Sequence, residues 1–179
     1  KYMGVTGGAG CYIVHPSDTA VPLAAFKASI TIASPASPSL RSMPIEEFFA
    51  GPEVDVTKEN MLGPGEIIVS VALPQPPAGV KSIFLKVQER VAGGFALASV
   101  AAVITLEGNT VAQASIVLGG VAPVPIRATE VEDYLTVKDA SAIDSTTAGQ
   151  LALPNPIPMK DNSYKITLVR NLVTRAVRR

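Results

Sequence analysis

The stretch Phe95-Ala96-Leu97-Ala98-Ser99-Val100-Ala101-Ala102-Val103-Ile104-Thr105-Leu106-Glu107-Gly108-Asn109-Thr110-Val111-Ala112-Gln113-Ala114-Ser115-Ile116-Val117-Leu118 decides the fold class. Two apolar runs rich in β-branched residues lie either side of Glu107-Gly108-Asn109, the pattern of a β-hairpin. Upstream, Lys81 to Arg90 alternates Ile83, Leu85 and Val87 with Phe84, Lys86 and Gln88. That period of two adds another strand, and Val91-Ala92-Gly93-Gly94 ends it. Downstream, Pro123 and Pro125 close the strand region and helical patterns follow. Ala128 to Leu135 reads as a helix with Glu130, Glu132 and Asp133 on its polar side, and Ser141 to Leu151 as a weaker one. The last helix is capped by Asn162 or Ser163 and runs to Ala176 or beyond, with Leu168, Leu172 and Ala176 on one face and Ile166, Val169 and Val173 close by. Arg175, Arg178 and Arg179 sit at its C-terminal end, where positive charge complements the helix dipole. Strands followed by helices make the expected class α+β: a small antiparallel sheet packed by helices.

Upstream of this unit, Pro74-Gln75-Pro76-Pro77 is the best linker in the chain. It divides the sequence into an expected first domain over 1–76 and a second over 77–179. The first contains a short helix from Asp18 or Thr19 to about Ala28, a strand over Ile30–Ala33, and a Ser/Pro-rich loop from Ser34 to Ser39. A helical turn at Pro44–Phe49, a polar run from Glu53 to Asn60 and a strand over Ile67–Leu73 complete it.

The bulk numbers exclude several functions. Of 179 residues, Lys+Arg and Asp+Glu number 15 each, so no net charge points to nucleic acid or an anionic surface. No apolar run reaches transmembrane length, and no signal-peptide pattern is present. The one cysteine, Cys11, excludes an intrachain disulfide, and the one histidine, His15, excludes a histidine-pair metal site. There is no P-loop, no G-x-G-x-x-G after a strand and no C-x-x-C. A start at Lys1 rather than methionine suggests a processed chain or part of a longer one.

The chemistry-bearing residues cluster in Gly7-Gly8-Ala9-Gly10-Cys11-Tyr12-Ile13-Val14-His15-Pro16-Ser17-Asp18. Gly7, Gly8 and Gly10 let backbone approach a ligand or another segment closely, and a glycine loop leading into a helix N-terminus suits an anion or a phosphorylated cofactor. The same loop also serves simply to turn a corner. Asp18 reads as a helix cap, as a carboxylate accepting ligand hydrogen bonds, or as both. Lys86 lies on the outer face of a half-exposed sheet or aims its charge at a cofactor. Cys11 reads as a small buried hydrophobe or as one ligand of a cluster whose other ligands come from elsewhere. His15 reads as a capping or packing residue.

The order of these segments, continued by Leu23-Ala24-Ala25-Phe26-Lys27-Ala28, Pro44-Ile45-Glu46-Glu47-Phe48-Phe49, Gly65-Glu66-Ile67-Ile68, Phe84-Leu85-Lys86-Val87, Leu118-Gly119-Gly120-Val121-Ala122-Pro123 and Tyr164 to Arg175-Ala176, resembles the FAD-binding medium subunit of molybdenum hydroxylases, the xanthine dehydrogenase / carbon monoxide dehydrogenase / aldehyde oxidoreductase type. The resemblance covers the later part of that family's pattern: the end of the flavin domain and the C-terminal domain. It implies FAD as cofactor, with Gly7, Gly8 and Gly10 approaching it by backbone, Asp18 contacting it, Ile68 packing against it and Lys86 near it. It gives no residue of this chain a catalytic acid or base role. Some members carry a 4Fe–4S cluster whose last cysteine stands where Cys11 does. Implied partners are a large subunit with molybdopterin and a small subunit with 2Fe–2S clusters, in a dimer of heterotrimers, and a cytoplasmic, periplasmic or membrane-associated complex, the first preferred. The implied activity is electron transfer from iron–sulfur clusters through FAD to an external acceptor. The alternative is a non-catalytic assembly module without cofactor contact. The chain departs from the family pattern at Arg90-Val91-Ala92-Gly93-Gly94-Phe95, where an acidic or Phe-Asp element usually follows the arginine, and at Lys27, where an acidic residue is common.

Overall fold

A computed structural model describes residues 1–178. The long apolar runs form a hairpin, β5 (Ala98–Glu107) and β6 (Thr110–Gly119), around a two-residue turn whose Gly108 takes a φ of +61°. β4 (Val80–Val87) pairs antiparallel with β5, and the short β7 (Ile126–Arg127) with β6, giving the order β4-β5-β6-β7.

Both faces of this sheet are covered, which explains why its central strands read as nearly continuous apolar runs. On one face Val100, Ala102, Val111, Ile116 and Leu118 join Val131 and Leu135 of α2 (Thr129–Leu135) in a single core. Ala148 of α3 (Ser145–Leu151) and Val169, Leu172, Val173 and Ala176 of α4 (Tyr164–Arg178) complete it. Each fully buried Val or Leu there contributes roughly 1.5–3 kcal/mol. On the other face Ala101 and Val117 join Val21, Ala24 and Ala25 of α1 (Ala20–Ala25). This face is built of small residues, and a Cβ on Gly119 would lie 2.5 Å from Val21 Cγ2.

A second sheet lies at the other side of α1, in the order β2-β1-β3. Its central strand β1 (Ser29–Ser34) buries Ile30 and Ile32, and β3 (Ile67–Ala72) runs antiparallel to it with a bulge at Thr31/Ile32. The loop expected over Ser34–Ser39 is instead the turn and opening of a strand, β2 (Ser37–Pro44), paired antiparallel with β1. β2 is almost wholly exposed and shows no apolar alternation; Arg41 holds it to Glu66 through Nη2–Oε2 at 2.6 Å. β7, beyond the prolines expected to end the strands, is the other addition. The turn at Ile45–Glu47 is 3-10 helix. Helices α1 and α3 are shorter than their sequence patterns, whereas α2 and α4 lie where expected. The fold is α+β.

Arg127 stitches the two halves together. Its guanidinium pairs with Glu46 after β2, reaches Glu132 Oε1 at 2.8 Å and Ser115 Oγ at 2.9 Å, and donates to Ala24 O at 3.3 Å. Ser115 Oγ in turn donates to Ala25 O at 2.7 Å, and Glu132 Oε1 accepts from the Ile116 amide at 2.7 Å.

The end of α1 shows a local conflict. The Ala28 amide bonds Leu23 O and the Lys27 amide bonds Ala24 O, the paired bonds of a Schellman cap. Lys27 therefore carries a φ of +55°, a conformation that favours glycine. The expected outcome of Lys27→Gly is a stabilisation of about 1 kcal/mol from removing the left-handed penalty, read as a higher urea midpoint at unchanged slope.

Candidate functional site

The segment from Gly4 to Asp18 has no regular secondary structure. It is held by backbone bonds to the turn after β6: Val5 N to Val121 O at 2.8 Å and His15 N to Ala122 O at 2.9 Å. Between these anchors the glycine loop protrudes. Gly7, Ala9 and Gly10 have φ of +64°, +42° and +91°. A Cβ on Gly8 would lie 1.8 Å from Cys11 O, so that position admits only glycine. The loop closes with Cys11 N on Gly8 O at 2.6 Å and lines a small hollow of about 40 Å³ with Ile157. Among the described residues, the amides of Gly7, Gly8, Ala9 and Gly10 donate to no protein acceptor. Cys11 is partly exposed and has no disulfide partner, and no group of three or more His, Cys, Asp or Glu side chains among the described residues could hold a metal.

Three residues after His15 the chain brings two expected site residues into contact. Lys86 Nζ, from β4, lies 2.5 Å from Asp18 Oδ2 and donates to Gly94 O at 2.7 Å. Asp18 therefore spends its carboxylate on a residue 68 positions away, not on α1; Ser17 Oγ accepts the Ala20 amide at 3.2 Å instead. The cap reading of Asp18 is thus corrected, because a lysine at ion-pair distance outcompetes a neutral amide for the carboxylate. Lys86 is likewise not a solvated outer-face lysine; its side chain is 19% exposed.

Beside this pair, a cavity of about 350 Å³ opens between Tyr2, Val14, His15, Arg90, Phe95 and Leu97. His15 packs edge-on against Phe49 at 4.6 Å between ring centroids, and both its ring nitrogens are buried without a hydrogen-bond partner. Burial lowers its pKa, with Glu59 partly opposing. The packing reading of His15 is correct. Ile68 is apart from the Asp18–Lys86 contact: it sits on β3 opposite Ile32, half-buried against the core under α1.

Lys165 is the residue sequence reasoning missed. It is fully buried on α4, among the described residues no carboxylate pairs with it, and its Nζ donates to Tyr2 O at 2.6 Å and Gly120 O at 2.8 Å. The signal was present in the spacing, since residues 165, 169, 172, 173 and 176 form one helical stripe.

The polar surface of this region suits a flavin nucleotide. A row of unengaged amides on a left-handed loop can donate to the oxygens of a phosphate or sugar, and an Asp–Lys pair beside a cavity supplies an acceptor and a cation to a heteroaromatic ring. Comparison with known proteins gives the same direction. The family described as the FAD binding domain in molybdopterin dehydrogenase matches residues 1–76, and that described as the CO dehydrogenase flavoprotein C-terminal domain matches residues 83–179, more than half the chain. The chain belongs to the FAD-binding medium-subunit family of the molybdenum hydroxylases.

Within this family, the chain is 35% identical over 160 residues to the aldehyde oxidoreductase FAD-binding subunit PaoB of Escherichia coli strain K12, covering 89% of this chain and 46% of that one. It is 40% identical over 132 residues to the glyceraldehyde dehydrogenase medium chain of Sulfolobus acidocaldarius, covering 74% and 44%. Its fold matches a chain of quinoline 2-oxidoreductase from Pseudomonas putida 86 with a TM-score of 0.74 and 26% identity, over 90% of this chain and 55% of that one. The chain thus spans about half the length of the medium subunits it matches. Among its described residues no helix is long and apolar enough to cross a membrane.

Two outcomes are expected from this geometry. A double-mutant cycle on Asp18→Asn and Lys86→Met gives a coupling of about 1 kcal/mol in urea unfolding, since the pair is partly shielded and hydrogen-bonded. For Lys165, burial pushes the ammonium from 10.5 down to about 8. Between these values the unfolded chain holds the proton that the folded chain has lost, so this group makes stability rise with pH from about 8 to 10.5. Subtracting the urea midpoints of Lys165→Met from those of the wild type across that window isolates the rise.

Proposed function

We propose that this chain is the flavin-holding portion of an electron-transfer subunit, in which residues 1–76 are the C-terminal part of the FAD-binding domain and residues 77–179 the flavoprotein C-terminal domain packed against it. The observation that carries the reading is the contact between Asp18 and Lys86, distant in sequence and brought together beside a cavity in a chain of this family. Gly7, Gly8 and Gly10 hold FAD through the backbone of their loop, whose amides are unengaged by protein. Asp18 accepts hydrogen bonds from the cofactor, Lys86 holds Asp18 in place and contributes positive charge, and Ile68, which stands apart from that pair on β3, supplies apolar contact elsewhere along the cofactor. FAD, when bound, supplies the two-electron redox chemistry; the protein binds, orients and shields it. No acid or base from this chain takes part.

The proposed complex adds a large subunit with molybdopterin and a small subunit with 2Fe–2S clusters, and FAD held by this chain would supply the electron link between those clusters and an external acceptor. The complex is a dimer of heterotrimers in the cytoplasm. Cys11 is one ligand of a 4Fe–4S cluster whose three other cysteines are not in this chain, where Cys11 is the only one. The relatives support this reading by their names: one is an FAD-binding subunit of an aldehyde oxidoreductase and another a medium chain of a dehydrogenase.

Asp18→Ala in the intact protein is expected to weaken FAD binding about tenfold, the effect of losing roughly 1.4 kcal/mol of hydrogen bonding to a charged group. Bound flavin is read by visible absorbance after titration with free FAD. An unchanged affinity in both Asp18→Ala and Lys86→Met overturns the assignment of this site and leaves a subunit-assembly role.

A further inference from the structure

The five carbonyls that precede the glycine loop all accept hydrogen bonds from one short stretch near the C-terminus. Lys1 O accepts from the Tyr164 hydroxyl at 3.1 Å, Tyr2 O from Lys165 Nζ at 2.6 Å, Met3 O and Gly4 O from Asn162 Nδ2 at 3.1 and 3.0 Å, and Val5 O from the Ile157 amide at 2.7 Å. No sheet or helix imposes this row. Four of the five are bonded by side chains at or just before the start of α4, and two of these, Asn162 and Lys165, are fully buried.

The geometry of Lys165 is specific. Its two acceptors belong to different parts of the fold: Tyr2 O leads into the glycine loop, and Gly120 O belongs to the turn that also accepts the Val5, Thr6 and His15 amides through Val121 and Ala122. Gly120 has a φ of +72°, and a Cβ there would lie 2.9 Å from Ala96 O, so the turn itself is fixed against the segment that lines the cavity. The Lys165 Nζ serves both carbonyls at once, whereas an apolar side chain would leave the buried Gly120 carbonyl and the part-buried Tyr2 carbonyl without this donor. Asn162 completes the brace: its Oδ1 accepts the Met159 amide at 2.6 Å while its Nδ2 spans two carbonyls.

We propose that Lys165, with Asn162, is a positioning residue of the flavin site, bracing the backbone of Lys1–Val5 against the Gly120 turn so that the glycine loop and the His15–Asp18 segment keep their places. The inference rests on the flavin reading of that loop. It assigns the C-terminal helix a task that packing does not require, since Val169, Leu172, Val173 and Ala176 already fill the core without reaching the loop.

The test uses the intact protein with Lys165→Met, and Asn162→Ala as the second variant should the first not fold. Two readouts are taken: amide hydrogen exchange by segment, and titration with FAD followed by visible absorbance. The expected result is exchange at least about tenfold faster over residues 4–15, unchanged exchange in β5 and β6, and FAD affinity about tenfold weaker, one decade corresponding to 1.4 kcal/mol. Unchanged exchange over residues 4–15 overturns the proposal. So does uniform acceleration that includes β5 and β6, which marks a merely structural role, and so does a loosened loop with unaltered FAD affinity. Wild-type protein that binds no FAD overturns the flavin reading itself, and the exchange pattern then decides the brace alone.

Discussion

The fold depends on burying both faces of one hairpin. β5 and β6 have no solvent side over most of their length, so each strand must supply two different apolar surfaces in alternation. Val100, Ala102, Ile116 and Leu118 meet the three C-terminal helices, while Ala101 and Val117 meet α1. The first surface is bulky because helices on that side stand off the sheet by a layer of Leu and Val. The second is made of Ser99, Ala101, Ser115 and Gly119, and it admits α1 at a distance that larger side chains would forbid. One hairpin therefore carries two cores, and each half of the chain uses the other as a wall.

Polar ties at the seam convert that packing into a site. Three charged side chains with long reach, Lys86, Arg127 and Lys165, each join segments far apart in sequence. Arg127 and Lys86 meet carboxylates at partly shielded positions, where ion pairs are hydrogen-bonded and directional. Among the described residues Lys165 meets only backbone carbonyls, in full burial, which is the costlier arrangement and lowers its pKa. Lys86 and Lys165 share a geometry in which a strand or helix supplies rigidity and an irregular segment receives it, whereas Arg127 ties regular elements to one another. The Asp18 turn and the backbone leading into the glycine loop are the receivers.

Much of the architecture was legible from residue pattern. The hairpin, the strand over Lys81–Arg90, the strand around Ile30 and the amphipathic final helix follow from periods of two and 3.6, because each buries a face whose partners are apolar whatever their identity; the strand around Ile68 is apolar in sequence yet almost wholly exposed. β2 was illegible for the opposite reason. Ser37-Pro38-Ser39-Leu40-Arg41-Ser42 is exposed on nearly every residue, so no alternation marks it, and its pairing with β1 is fixed by backbone and by Arg41 on Glu66. Of the site residues, the glycine loop is readable because its three glycines cluster in the sequence, two of them at the left-handed φ that glycine allows. The partner of Asp18 is not, since a capping carboxylate and an ion-paired one look alike in sequence.

By itself, then, the sequence determined which segments have one buried face, that glycines cluster over Gly7–Gly10, and, through the order of its short motifs, the family. Only the tertiary structure decided that Asp18 answers to Lys86 rather than to its own helix, that Ile68 stands apart from that pair, and that a lysine on the apolar stripe of α4 reaches the carbonyls before the glycine loop. The physical reason is range. Periodicity and backbone sterics act within a few residues, whereas hydrogen bonds at 2.5–3 Å between groups 68 to 163 positions apart exist only once the packing around the hairpin has set the distances.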